Sequence, residues 1–549
     1  MTTPRVETVI APWQQTEFTL TGTRDYANPY TDVDVWAEFT HESGTVLRRP
    51  AFWDGGRVWK VRFASVETDG RWTWRSGCSV ADEGLSGQGG ALVVRPAADD
   101  GNAFHRHGFR RMSPGGRSLV HADGTSALLV GDTAWALPWR ATEEQVTRYA
   151  ADRRAKGFST PAALPRVRLE GPRRGRSGGS TAGVRALPNT CPVPHPSGWR
   201  CRASSPWRPG GRQNHGTIGW SDKAVVGPTA GRAGSQACGG LVRPVLTDRR
   251  GPVKQEPEVV PRSGTGRNLQ SSGWRGRQCR YLVARYGAGP VVYLVGADGE
   301  GGEPQIAAGG AEVGRWDGYG QPCGIHYRPH SDNRAHQSEA WLHFQWCQTG
   351  HMGGHVQERV ADMWRNTPAK AVANGEPTYE NTGRPGRAAG WWQGHEAWSN
   401  LCADGTMGVV YGAASLWQWR LHAAEPGHEE FFLAEGAGWR EALDFEGSRH
   451  VGLVSRILDG LPLTDMRPDW RSALAPRGLS VPGVLYLCYA EVGGPLFITD
   501  PVNVPLPYRV VDPRTGETVR EGVRATAGEP VPDEGGAPRV YICHDPSRS

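Results

Sequence analysis

Two short apolar runs in this chain end in a carboxylate. Residues 369–380 read AKAVANGEPTYE, small apolar side chains climbing into Asn-Gly-Glu and stopping at a proline, and residues 291–298 read VVYLVGAD. Two strands that each finish in a carboxyl group suggest a pair of catalytic acids, Glu376 and Asp298, the equipment of general acid–base work. Each has a rival: Glu380 stands four residues past Glu376 and beyond Pro377, and Glu300 and Glu303 share the loop of Asp298. Asp298 also suits a turn before Gly299.

Other residues of suitable chemistry gather at the ends of apolar runs. Asp132 and Trp135 close ALLVGDTAW, His326 and His330 follow the run from Gly324, His351 comes after Gln348, and Trp417 and Trp419 end the run from Gly408. Their placement points to substrate binding, with Asp132 alternatively a structural residue capping the next helix. The 23 Trp supply core mass and flat faces on which sugar rings stack. The three histidines lack HExxH-like spacing and the ten cysteines are scattered without CxxC pairs, so neither a metal nor a disulfide framework is expected. No glycine-rich phosphate fingerprint follows a strand, and no cofactor is expected.

These residues need elements to hold them. At 549 residues the chain calls for two or three domains. Residues 1–105 alternate polar and apolar positions in short runs (Thr16 to Leu20, Asp32 to Thr40, Val58 to Phe63, Arg71 to Arg75) between turn signals, the pattern of a β-sandwich. Gly108 to Ser126 reads as a hairpin. Residues 106–462 alternate strand and helix: Ala127 to Trp135, then a helix capped by Thr142, and later strands at Val291 to Asp298, Gly324 to His330, Leu342 to His351, Ala369 to Glu376 and Gly408 to Trp419. Helices are expected at Arg280 to Tyr286, His355 to Thr367, Trp391 to Leu401 and Arg440 to Leu461. With room for two more strands between 158 and 280, eight strands predict a (β/α)8 TIM-type barrel, whose active site forms at the C-terminal strand ends. Residues 463–549 return to β pattern and read as a small C-terminal β-sandwich.

The net charge of +6 is unevenly spread. Residues 161–280 hold 21 Lys and Arg against five Asp and Glu, while the rest of the chain is net acidic. That segment contains no Phe, Tyr or Met and is rich in Gly, Arg, Pro and Ser, too poor in apolar surface to offset chain entropy. A nucleic-acid-binding insert would bring more Lys and stacking aromatics than the two Lys and four Trp present. A natural linker would avoid Trp and Cys. The composition instead suits GC-rich coding sequence read in the wrong frame, so a compensated pair of frameshifts or a sequencing error is favoured for residues 160–280.

No window approaches the roughly 20 apolar residues of a membrane span. The opening MTTPRVETVIAPWQQ lacks a basic start followed by an apolar core, so a cytoplasmic location and no membrane partner are expected.

The order YANPYTDVDVWAEF, FWDGGRVWKVRF, LLVGDTAW, RYAADRRAKGF, RYLVARYGAGPVVYLVGAD and NGEPTYE resembles the apiosidase-like glycoside hydrolases, over about residues 1–158 and 280–545. The resemblance implies a clan A type barrel behind an N-terminal sandwich, a carbohydrate substrate of plant-type or branched structure, and a retaining mechanism. It implies Glu376, ending strand 7, as nucleophile and Asp298, ending strand 4, as general acid/base. Retention requires attack on one face of the sugar while the leaving oxygen is protonated from the other, with the carboxyls about 5 to 5.5 Å apart. Because residues 160–280 depart from the family, a catalytically inactive, carbohydrate-binding relative with a disrupted barrel is the alternative.

Overall fold

The computed structural model describes residues 7–163, 223–226, 272–297, 301–327, 334–349, 356–382, 390–425, 436–469, 477–498 and 505–548. Four sheets organise them, of seven, three, eight and six strands.

The seven-stranded sheet comes first in the chain. Its strand Val46–Trp53 pairs through residues 46–50 with Val35–His41 and through residues 51–53 with Val58–Phe63, so one strand passes from one half of the sheet to the other. The alternating residues that signalled strands become a core around Phe39, Phe63 and Trp72. Phe39 and Phe63 stack with ring centroids 4.0 Å apart. The expected hairpin appears as the three-stranded sheet of Arg110–Met112, Leu119–His121 and Ser126–Ala127.

The eight-stranded sheet carries the predicted strand ends. In spatial order its strands are Leu129–Thr133, Thr160–Ala163, Lys223–Val226, Val291–Leu294, Cys323–His326, Phe344–Gln348, Ala371–Glu376 and Gly408–Tyr411, and the last also pairs with the first. A parallel bridge between Glu380 and Ala413 joins the chain beyond the seventh and eighth strands, so the sheet closes on itself. Leu129, Val292, Leu294, Phe344, Trp346, Ala371, Ala373 and Val410 meet in one cluster inside it. Their chain neighbours, such as Val130, Val291, Tyr293, Ile325, Val372 and Val409, pack outward against helices. One strand breaks the parallel pattern: Lys223–Val226 runs antiparallel to both neighbours. An all-parallel (β/α)8 sheet needs a crossover before every strand. The irregular strand falls within the segment whose composition is foreign to the rest of the chain.

Around this sheet the helix starts are chemically specified. Glu143–Lys156 has the expected Thr142 cap, completed as a capping box by Gln145, and ends at Gly157 in the left-handed region. Ser272–Tyr286 begins eight residues earlier than the pattern indicates, within the basic segment. Pro304–Trp316 was not expected at all. Its Gly309, Gly310 and Gly314 lower helix propensity, yet a Cβ at Gly310 would lie 2.1 Å from the Trp341 ring. The predicted run from Gly408 to Trp419 divides into a strand and the short helix Ala414–Trp417. Arg440 to Leu461 likewise divides into Trp439–Ala442 and Glu446–Ile457.

The C-terminal region, expected as a small sandwich, forms one six-stranded sheet among its described residues. Leu485, Leu487 and Ile542 on one face join the core of the helical layer, whereas Tyr486, Val510 and Tyr541 gather on the other. The six-stranded sheet therefore uses the neighbouring helices as its second layer. Among the described residues no helix is long and apolar enough to cross a membrane.

Arg49, on the strand that passes between halves of the N-terminal sheet, is fully buried. It donates to the carbonyl of Val283 at 3.1 Å and of Trp316 at 3.2 Å, near the C-termini of Ser272–Tyr286 and Pro304–Trp316, and lies over the Tyr319 ring. A cation at two helix C-termini adds donors to their last carbonyls, of which Val283 also accepts from the Gly287 N–H, and opposes both dipoles. Arg49→Met should therefore lower stability by about 1–3 kcal/mol, read as an earlier urea midpoint, because it removes the guanidinium from the Trp316 carbonyl and a second donor from the Val283 carbonyl, which keeps the Gly287 N–H. An unchanged midpoint would show that water replaces the guanidinium at no cost.

Candidate active site

Glu376 reaches the inside of the sheet through a bulge. Ala371 and Ala373 face inward, so strict alternation would send residue 375 inward and residue 376 out. The register instead shifts: Cys347 pairs with Asn374 and Gln348 with Glu376, leaving Gly375 as the extra residue. Only glycine fits there, because a Cβ at 375 would lie 2.4 Å from the Trp346 ring. The Asn-Gly-Glu sequence is thus the local instruction that turns a carboxylate inward.

Three of the expected residues meet at this point. His326 Nε2 lies 3.4 Å from Glu376 Oε2, with both side chains almost wholly buried. Gln348 pairs with Glu376 on the adjacent strand. Trp135 packs obliquely on the His326 ring, centroids 5.9 Å apart, and its indole N–H donates to the Tyr379 hydroxyl at 2.8 Å. The Tyr379 ring sits against Gly412, where a Cβ would come within 2.2 Å. Trp417 lies partly buried against the same interior cluster.

Asp298, His330 and His351 lie outside the described residues. Asp132 and Trp419 are placed away from Glu376. Asp132 falls on the outward parity of its strand, where its Oδ2 accepts from the Tyr149 hydroxyl at 2.9 Å and from Arg153 Nε at 2.5 Å. Burial opposes the Arg153 charge, but the Asp132 carboxylate beside it holds the guanidinium above its ordinary pKa. Burial, then the Asp132 charge, raises the Tyr149 phenol. Trp419 stacks on Trp439, centroids 5.1 Å apart, and donates to Gln145 Oε1 at 2.9 Å, in the helical layer outside the sheet.

The rivalry between Glu376 and Glu380 resolves by their partners. Glu380 accepts from the Tyr411 hydroxyl at 2.6 Å, the Gly390 N–H at 2.9 Å and the Gly447 N–H at 3.1 Å. The latter two sit at the N-termini of Trp391–Cys402 and Glu446–Ile457, where a carboxylate is favoured by unsatisfied N–H groups and the dipole. Burial raises its pKa, and these donors work against that rise. Glu380 ties the loop after the seventh strand to two helices, leaving Glu376 as the carboxylate of this pair beside His326.

A further buried acid escaped the sequence. Glu396, inside Trp391–Cys402, accepts from Thr349, Asn374 and the Thr378 N–H. An acidic residue among the tryptophans of WWQGHEAW was the available signal. Among the described residues no group of three or more His, Cys, Asp or Glu is arranged to hold a metal.

Comparison with known proteins gives this geometry a context. Residues 9–79 match a domain family of unknown function (DUF5060). None of the curated proteins compared matches the chain. Among solved structures, the chain is similar to a protein of Bacteroides vulgatus held to be a glycoside hydrolase, with 14% identity, a TM-score of 0.60, and coverage of 98% of this chain and 100% of that one. It is also similar to a family 5 glycoside hydrolase of Bacteroides vulgatus at 17% identity and a TM-score of 0.55, covering 80% and 94% of the two chains. At such identities the likeness is one of fold. Residues 113–171 and 265–465 match the apiosidase-like catalytic domain, and the match skips most of the segment whose composition is foreign. Through these two pieces the central region of the chain carries the match to the apiosidase-like catalytic domain, in keeping with a glycoside hydrolase family.

Proposed function

We propose that this chain is a retaining glycoside hydrolase acting on a plant-type or branched glycan, with Glu376 as nucleophile and Asp298 as general acid/base. The observation that carries the reading is Glu376 itself, turned by a bulge into the closed eight-stranded sheet and set against His326 at 3.4 Å. On this reading the sheet is a (β/α)8 barrel with one irregular strand, flanked by an N-terminal sandwich to about residue 105 and a C-terminal β-domain from about residue 463. Val292 and Leu294 face the interior of the fourth strand, and Asp298 shares their even parity. Trp135, Gln348 and His326 would then contact the sugar from strand ends that converge on Glu376. Asp132 and Trp419, engaged elsewhere, are left out of that set.

In the first step Glu376 attacks the anomeric carbon while the acid protonates the departing oxygen. Water then displaces the sugar from Glu376, the second carboxyl now serving as base. The two displacements together retain configuration. Proton NMR of the first product from a cleaved aryl glycoside tests this directly: the substrate's anomeric configuration is expected, and the opposite configuration would exclude Glu376 as nucleophile. The antiparallel Lys223–Val226 favours one second reading, an inactive carbohydrate-binding relative. Soluble protein that binds glycans but hydrolyses none of them would establish it.

A further inference from the structure

The carboxylate that the sequence did not reveal sits behind the bulge. Glu396 is buried in the helix Trp391–Cys402, outside the sheet. Its Oε1 accepts from Thr349 Oγ1 at 3.0 Å, Asn374 Nδ2 at 3.3 Å and the Thr378 N–H at 3.2 Å. Its Oε2 accepts from the same N–H at 3.1 Å and from Trp392 Nε1 at 3.2 Å. Asn374 Nδ2 also donates to Thr349 Oγ1 at 2.9 Å.

The chain positions of these donors matter more than their number. Asn374 stands two residues before Glu376 and Thr378 two after, so both flanks of Gly375-Glu376-Pro377 are tied to one carboxylate. Thr349 follows Gln348, the residue opposite Glu376 on the next strand. A bulge interrupts its own ladder, so the backbone there needs fixing by something other than strand pairing. Resting on the assignment of Glu376 above, we propose that Glu396 is a positioning residue for the reaction: from outside the sheet it sets the bulge that aims Glu376 at the substrate.

The charge explains why a carboxylate occupies this place. Two oxygens with several lone pairs can serve four donor groups, and hydrogen bonds to an ionised acceptor are about twice as strong as neutral ones. An amide keeps the shape but turns one oxygen into an NH2 that faces the donors of Thr378 and Trp392. Glu396→Gln should therefore release the bulge without emptying its place in the core. Misplacing a reacting group by about 1 Å costs on the order of a hundredfold in rate.

The test uses the full chain and a panel of 4-nitrophenyl glycosides. Glu396→Gln is expected to lower kcat by about ten- to a hundredfold while KM stays within about twofold, because Glu396 acts through Glu376 and does not touch the sugar. Thr349→Val, which removes one donor and keeps the carboxylate, should lower kcat by a smaller factor in the same sense, and it stands in if Glu396→Gln fails to fold. Unchanged kcat in a folded variant of an active enzyme overturns the proposal. A crystal structure of Glu396→Gln gives a second answer independent of turnover: residues 375–377 should shift and the His326–Glu376 contact should lengthen, and superposition on the parent backbone overturns the idea. If the parent hydrolyses no member of the panel, the glycosidase reading fails while the crystallographic comparison still decides what holds the bulge.

Discussion

Glu376→Gln should abolish glycoside hydrolysis, with kcat falling on the order of a thousandfold or more, while the protein unfolds at nearly the same temperature as the parent. The expectation rests on what Glu376 touches. Glu376 meets the buried His326 ring, a contact that an amide of the same size can keep, so the core need not repack. What the amide cannot do is form the covalent bond to the anomeric carbon that a retaining reaction requires. Turnover by Glu376→Ala, partly restored when a small anion such as formate is added, would place the lost group at the anomeric carbon. A Glu376→Gln enzyme retaining a tenth of the parent rate would remove Glu376 from the mechanism.

Asp132→Asn is expected to act on stability instead. The parent pair is buried on both sides, Asp132 at 1% and Arg153 at 5% side-chain exposure, and Tyr149 shares the same carboxylate oxygen. Removing the Asp132 charge leaves Arg153 with Asp152 as its remaining carboxylate, so the cost falls below the roughly 3–5 kcal/mol of a fully stranded buried charge, at about 2 kcal/mol. The Arg153 guanidinium lies over the rings of Tyr149, Phe158 and Tyr411, at 5.4 to 5.6 Å, and cannot move to water without opening that cluster. Urea unfolding should therefore show a clear fall in midpoint, whereas KM measured on the folded fraction should hold. The reverse pattern, unchanged midpoint and raised KM, would return Asp132 to the substrate as its strand-end position suggested.

Asp132 also illustrates why part of the site was not legible in the sequence. Its place at the end of an apolar run is plain in the sequence, but whether a strand-end residue faces the interior depends on parity, and a five-residue strand with apolar residues on both faces does not declare it. Glu376 posed the same difficulty in reverse. Its inward aim depends on a bulge, and Asn-Gly was visible as a pattern without showing that one residue would be extra. The strands of the N-terminal sheet were legible because one face is wet, so polar and apolar positions alternate. Pro304–Trp316 was hidden because its glycines serve close packing against Trp341 and Cys279, a tertiary demand that overrides helix propensity. Trp419 shows the limit of composition: an indole at the end of a run fits a sugar platform or a helix layer equally well, and Trp439 decided between them.

Arg49 has a consequence for how such chains are assembled. Its donor groups leave the N-terminal sheet and end on two helices that flank the strand Val291–Leu294, whose continuation leads to Asp298. Arg62 and Arg285 cross the same boundary onto carbonyls of the opposite side. The N-terminal sheet is therefore not a detachable module. A chimera carrying another sandwich in its place would lose these bonds to the helices beside the fourth strand unless that sandwich also set an arginine there.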